Sequence, residues 1–121
     1  MNAYTTIEES KQLIEAGLDI NTADMVFEKN DVPKVHPIRY YEPYSREYLI
    51  PCWSLAALLN IIDNNNIAYA LRNTRNSESK YFISVKVINQ EGNHQTFDFE
   101  KMIGCITWLL EHNYIKSNKN E

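Results

Sequence analysis

Leu55, Leu58, Leu59 and Ile62 fall at i, i+3, i+4 and i+7, which places four apolar side chains on one stripe of a helix. The preceding residues explain why a helix starts there. Pro51 lacks an N–H and pushes Ile50 toward extended geometry, and Ser54 can cap the unpaired amides of the next turn. The spacing predicts a helix from Ser54 to about Asp63, stopped by Asn64-Asn65-Asn66. An earlier helix is predicted over 6–16. Thr5 or Thr6 stands at capping-box spacing from Glu8 or Glu9, and Ile7, Leu13 and Ile14 form an apolar edge. Gly17 is placed to take the left-handed conformation that ends a helix, with Leu18 folding back on the last turn. A third helix is predicted from about Glu100 to His112. Its wide apolar face is Met102, Ile103, Ile106, Leu109 and Leu110, with Cys105 and Trp108 near the margins; Asn113 ends it, and Tyr114-Ile115 pack back.

Between the second and third helices the period changes from 3.6 to 2. Tyr81, Ile83, Val85 and Val87 alternate with Phe82, Ser84, Lys86 and Ile88, in a run rich in β-branched residues. Ile67, Tyr69 and Leu71 alternate with Ala68 and Ala70, and Gln95, Phe97 and Phe99 alternate with Thr96 and Asp98. A polar connection at 73–79 and a hairpin loop at 89–93 join them into an antiparallel meander of about three strands. Upstream, Thr22 is read as the cap of a second, short helical turn with Asp24 at its start. Turn chemistry follows over 28–34, then a short edge strand at Ile38 to Glu42 between Pro37 and Pro43. The predicted fold class is α+β, with three to four helices packed on a small, mainly antiparallel sheet of three to four strands. It is expected to be one domain over 1–121, with an ordered core at about 4–115 and a disordered tail at 116–121.

Composition adds boundaries rather than chemistry. A chain of 121 residues, 44% hydrophobic and 23% charged, has the make-up of a folded domain that needs neither a metal nor a disulfide to hold together. The net charge of −4 is uneven, with ten acidic and five basic residues over 1–63 against six and seven over 64–121. That balance does not favour nucleic acid as a partner of the whole surface. The N-terminus has no basic start followed by an apolar run, and the longest apolar run, Leu55 to Leu59, is far short of a membrane span of about 20 residues. A cytoplasmic location and no membrane contact are expected, with Cys52 and Cys105 as buried free thiols.

No catalytic or metal-binding pattern assembles. His36, His94, His112, Cys52 and Cys105 show no ligand spacing, so no metal or cofactor is expected. The glycines flank no serine or cysteine as a nucleophile elbow requires, and no glycine-rich phosphate loop occurs. Ser54 reads as a helix cap and Asp24 as a charge at a helix start. The densest feature is aromatic: Tyr40, Tyr41, Tyr44 and Tyr48 lie within nine residues, with Arg39 and Arg46 among them. Tyr and Arg offer large contact area with a polar tip, as protein-binding surfaces favour. The expectation is a non-enzymatic interaction protein that uses segment 39–48 to hold a protein partner or a second copy of itself. One alternative is nucleic-acid binding through Arg72, Arg75, Lys80 and Lys86; another is a small hydrolase or transferase with a site near Cys52.

The order Thr5-Thr6-Ile7-Glu8-Glu9-Ser10-Lys11-Gln12-Leu13, Gly17-Leu18, Thr22-Ala23-Asp24-Met25, Ile50-Pro51-Cys52-Trp53-Ser54-Leu55 and Thr107-Trp108-Leu109-Leu110-Glu111 resembles a family of small uncharacterised proteins from phages, prophages and mobile elements of gut anaerobic bacteria. The similarity spans about residues 4–115. It implies a cytoplasmic accessory protein made inside a bacterial host, and it implies no catalytic residue.

Overall fold

The first helix, α1 (Ile7–Ala16), begins where its cap chemistry dictates. The Glu9 amide donates to Thr6 Oγ1 at 3.1 Å and the Thr6 amide donates to Glu9 Oε1 at 2.9 Å, a reciprocal box. It ends on Gly17 at φ 101°, with the Leu18 amide reaching back to the Leu13 carbonyl at 3.0 Å. The same stop recurs twice with asparagine in place of glycine. Asn66 (φ 60°) follows α2 (Leu55–Asn64), and Asn113 (φ 63°) follows α3 (Met102–Glu111). The amides of Ile67 and Tyr114 then bond back to the carbonyls of Ile62 and Leu109, at 3.2 and 2.9 Å. In all three cases an apolar residue follows the left-handed one and folds onto the last turn, as Leu18 was expected to do.

The structure, a computed structural model, describes residues 4–28, 35–37, 49–73 and 81–118. Among these the chain is α+β, with three α-helices, and its strands form two antiparallel sheets where a single sheet was expected. The first sheet holds β1 (Met25–Glu28) between β2 (Val35–Pro37) and β3 (Leu49–Cys52). Val26 lies opposite His36 on one side and Pro51 on the other. Just past β3, Tyr4 forms an isolated antiparallel bridge with Ser54, and the Thr5 amide donates to the Trp53 carbonyl at 2.9 Å. The second sheet is the expected meander, β4 (Ala68–Asn73), β5 (Tyr81–Ile88) and β6 (His94–Phe99), with Tyr69, Val85 and Phe97 in one cross-strand row.

A second correction concerns residues 19–28. The short helical turn is a 3-10 turn at Ile20–Thr22 capped by Asp19, whose carboxylate accepts from the Asn21 amide at 2.9 Å. Thr22 is its last residue and not its cap, and Asp24 starts no helix because the chain enters β1 at Met25. The expected strand at Ile38 to Glu42 lies outside the described residues.

One apolar core joins the three helices and the second sheet. α3 buries six of its ten residues, Met102, Ile103, Cys105, Ile106, Leu109 and Leu110. They meet Leu13 of α1, Leu58 and Ile62 of α2, and Ile83, Val85 and Val87 of β5 in one cluster. The amide of Asn118 donates to the Gly17 carbonyl at 2.8 Å. Among the described residues, no helix is long and apolar enough to cross a membrane.

Candidate interaction surface

Two polar nodes flank Cys52 and Trp53, and both are structural. Thr5 is fully buried. Its hydroxyl lies 2.8 Å from Ser10 Oγ, accepts from the Trp53 amide at 3.1 Å, and sits 3.7 Å from Cys52 Sγ. The Cys52 thiol donates to the Thr5 carbonyl at 3.5 Å. On the other side, Asp24 accepts from the Ser54 amide at 2.9 Å and from Ser54 Oγ at 2.5 Å, while Ser54 Oγ caps α2 by accepting from the Ala57 amide at 3.0 Å. Trp53 Nε1 donates to Thr22 Oγ1 at 2.9 Å. This clamp ties the start of β1 to the start of α2. The sequence names Ser54 correctly as a cap; Asp24 braces it, so the Asp24 charge lies at the start of α2 and not at the start of the helical turn expected beside Thr22.

Neither thiol is poised as a nucleophile. Cys52 and Cys105 are both free and have no exposed surface. Loss of hydration pushes the Cys52 thiol up to about 11, with the Asp24 charge adding to the rise and the Thr5 hydrogen bonds opposing it. The same loss pushes Cys105 up to about 12. At neutral pH both stay protonated, and the thiolate is the reactive form. Among the described residues no group of three His, Cys, Asp or Glu side chains is placed to hold a metal ion.

The chemistry turned outward is aromatic. Trp108 of α3 is partly buried, and four rings surround it. Phe97 and Phe99 of β6 lie 4.6 and 5.6 Å from it, centroid to centroid, at tilted angles. His112 stacks at 4.2 Å and Tyr114 at 5.6 Å. The His112 ring is held by Nδ1, 2.9 Å from the Trp108 carbonyl. His112 is exposed, and Phe97, Phe99 and Tyr114 are each partly exposed. The cluster sits beside β6, which pairs with β5 on one edge and, among the described residues, with no strand on the other. A half-sunk Trp beside an open strand edge provides both anchors and backbone partners for another polypeptide.

Of the expected contact residues, Arg39, Tyr40, Tyr41, Tyr44, Arg46 and Tyr48 lie outside the described residues, as do Arg75 and Lys80. Arg72 and Lys86 share the outer face of the second sheet, but the register sets them four residues apart along the strands, about 13 Å. Asp98 lies on the same face, where it accepts from Ser84 Oγ at 2.5 Å. These cations therefore form no cluster. The ring group was missed, although its signal was present. Phe97 and Phe99 share one strand face, Trp108 and His112 are spaced i, i+4, and Tyr114 follows a helix stop. No family model, curated protein or solved structure matches this chain.

Proposed function

We propose that this chain is a non-enzymatic interaction protein, an accessory factor of a phage or mobile element that works by binding a protein partner. One observation carries the reading: a partly exposed Trp108 ringed by Phe97, Phe99, His112 and Tyr114 beside the open edge of β6. Aromatic residues are the side chains that most often dominate binding energy at interfaces, and an open edge adds main-chain hydrogen bonds. The sealed, protonated thiols agree with a role other than nucleophilic chemistry. The Tyr/Arg segment, Arg39 to Tyr48, supplies a second contact of the same chemical kind.

Affinity capture from the native cell tests the reading. The full chain is compared with His112→Glu, which charges the ring surface without touching the core, and with Tyr40→Ala/Tyr44→Ala. Both variants must keep the thermal transition of the unaltered protein. A partner held by the unaltered chain and lost from His112→Glu supports the reading; a partner retained by both variants overturns it.

A further inference from the structure

We infer that the partner of this surface is a second copy of the chain, joined edge to edge along β6 about a two-fold axis through Thr96. The inference rests on the reading just given and names its partner. β6 presents His94, Thr96 and Asp98 on the outer face of the sheet, beside Ile88, Lys86 and Ser84, and Gln95, Phe97 and Phe99 on the helix side. Antiparallel pairing about Thr96 puts His94 of one copy opposite Asp98 of the other, twice, with Thr96 facing Thr96 between them. An imidazole N–H facing a carboxylate is a donor facing an acceptor, and a Thr–Thr pair is a favourable cross-strand neighbour. Ser84 already holds Oδ1 of Asp98, leaving Oδ2 as the acceptor for the imidazole across the seam.

Neighbouring registers lack this match. A two-fold through Gln95 sets His94 against Thr96 and Asp98 against Gly92. One through Phe97 sets Asp98 against Thr96 and finds an acid for His94 only at Glu100, beyond the strand. Like charges on the paired strands stand apart: the two copies of Lys86 that flank the Thr96 pair are three strand spacings apart, and the two copies of Asp98 four residues along the seam, each about 14 Å. That is beyond the screening length of about 8 Å in physiological salt. On the helix side the two Trp108 clusters fall on the same side of the joined sheet and flank the axis. The other edge strand of this sheet among the described residues, β4, is more apolar, with Tyr69 39% and Leu71 41% exposed. Its single charge, Arg72, meets only Ala68 in a two-fold about Ala70, so nothing there selects a second copy.

A pairing along six residues falls below the roughly 1,200 Å² of a standard interface, so the dimer is expected to be weak and concentration-dependent. Sedimentation velocity from about 10 µM to 1 mM, the concentration range in which weak complexes form, is expected to show a rising dimer fraction. His94→Glu sets an acid against Asp98 at both ends of the seam and is expected to weaken association at least about tenfold. The double variant His94→Glu/Asp98→Lys is expected to restore it, which separates a lost contact from a lost fold. Facing residues lie about 4.5–5.5 Å apart between Cα atoms, inside the disulfide range of roughly 4.4–6.8 Å. Thr96→Cys is therefore expected to form an oxidised dimer that Gln95→Cys does not, the native thiols being buried. A monomer at every concentration, failure of the double variant to restore association, or cross-linking through Gln95→Cys in place of Thr96→Cys overturns the inference. If the chain is monomeric but still captures a host protein that His112→Glu loses, the homodimer falls and the broader reading stands.

Discussion

Thr5→Val is the sharpest test of how the fold is held. Valine matches threonine in shape, so the substitution opens no cavity and removes only the hydroxyl. That hydroxyl is the acceptor for the buried Trp53 amide at 3.1 Å and the partner of Ser10 Oγ at 2.8 Å. An orphaned buried donor costs its full desolvation, about 1–3 kcal/mol. The two orphans are unequal. Ser10 lies in α1 and can turn its hydroxyl to the carbonyl four residues back, which recovers part of its share. The Trp53 amide is fixed by the backbone and has no such recourse. The expected loss is about 2–4 kcal/mol, a large share of the stability of an ordinary domain. It should appear as a lower midpoint in urea unfolding followed by Trp fluorescence, with an unchanged slope. Thr5→Ser keeps the acceptor and should cost no more than about 1 kcal/mol, the loss of one methyl group. Thr5→Val/Ser10→Ala removes one orphan and should be less destabilised than the sum of its single variants. If Thr5→Val is as stable as the unaltered chain, the hydroxyl is not what satisfies Trp53, and the account of this junction is wrong.

Three further outcomes are expected. Leu58 has no exposed surface in the shared core, so Leu58→Ala should cost about 2–5 kcal/mol by urea unfolding. Stability should fall in alkali. Cys52 and Cys105 titrate near 9.0 when unfolded and near 11 and 12 when folded, so both states hold the protons below pH 9 and only the folded state holds them above it. Each thiol should remove about 1.4 kcal/mol per pH unit through that window, and Cys105→Ala should flatten the alkaline limb. At the left-handed helix stops, Asn66→Gly should be neutral or slightly stabilising, and Asn66→Val should cost roughly 1–2 kcal/mol, measured by thermal unfolding.

The helices were legible because each carries its own punctuation. Thr6 with Glu9 begins α1, Ser54 begins α2, and Gly17-Leu18, Asn66-Ile67 and Asn113-Tyr114 close all three helices by one local device. Where contacts are non-local the reading failed. Thr22 carries good cap chemistry, but Asp19 takes the capping role and Met25–Glu28 is drawn into extension by partners on both sides. Val26 and Phe27 are adjacent and both buried, so burial does not alternate at these positions and no period of 2 marks the strand. The division into two sheets was readable in part. Pro37 and Pro51 confine β2 and β3 to edges, which leaves only β1, without proline, for the middle. What four residues cannot announce is that they form a centre at all.

The ring group around Trp108 was passed over for a related reason, while segment 39–48 lies outside the described residues. Density of Tyr and Arg drew attention to segment 39–48, but composition reports what a stretch could touch and not where the fold leaves an opening. The meander is what decides that. Consecutive hairpins force the order β4-β5-β6, so among the described residues β6 ends the sheet. Only Glu100 and Lys101 separate β6 from α3, a connection long enough for the helix to fold back against β5 and β6. Trp108, at the margin of the helix's apolar face, therefore arrives against Phe97 and Phe99, near the boundary between core and water. The same alternation that buries Phe97 and Phe99 from one side sends His94, Thr96 and Asp98 to the other. Their near-palindromic order of base, hydroxyl and acid about Thr96 acquires meaning only once that strand is known to be last.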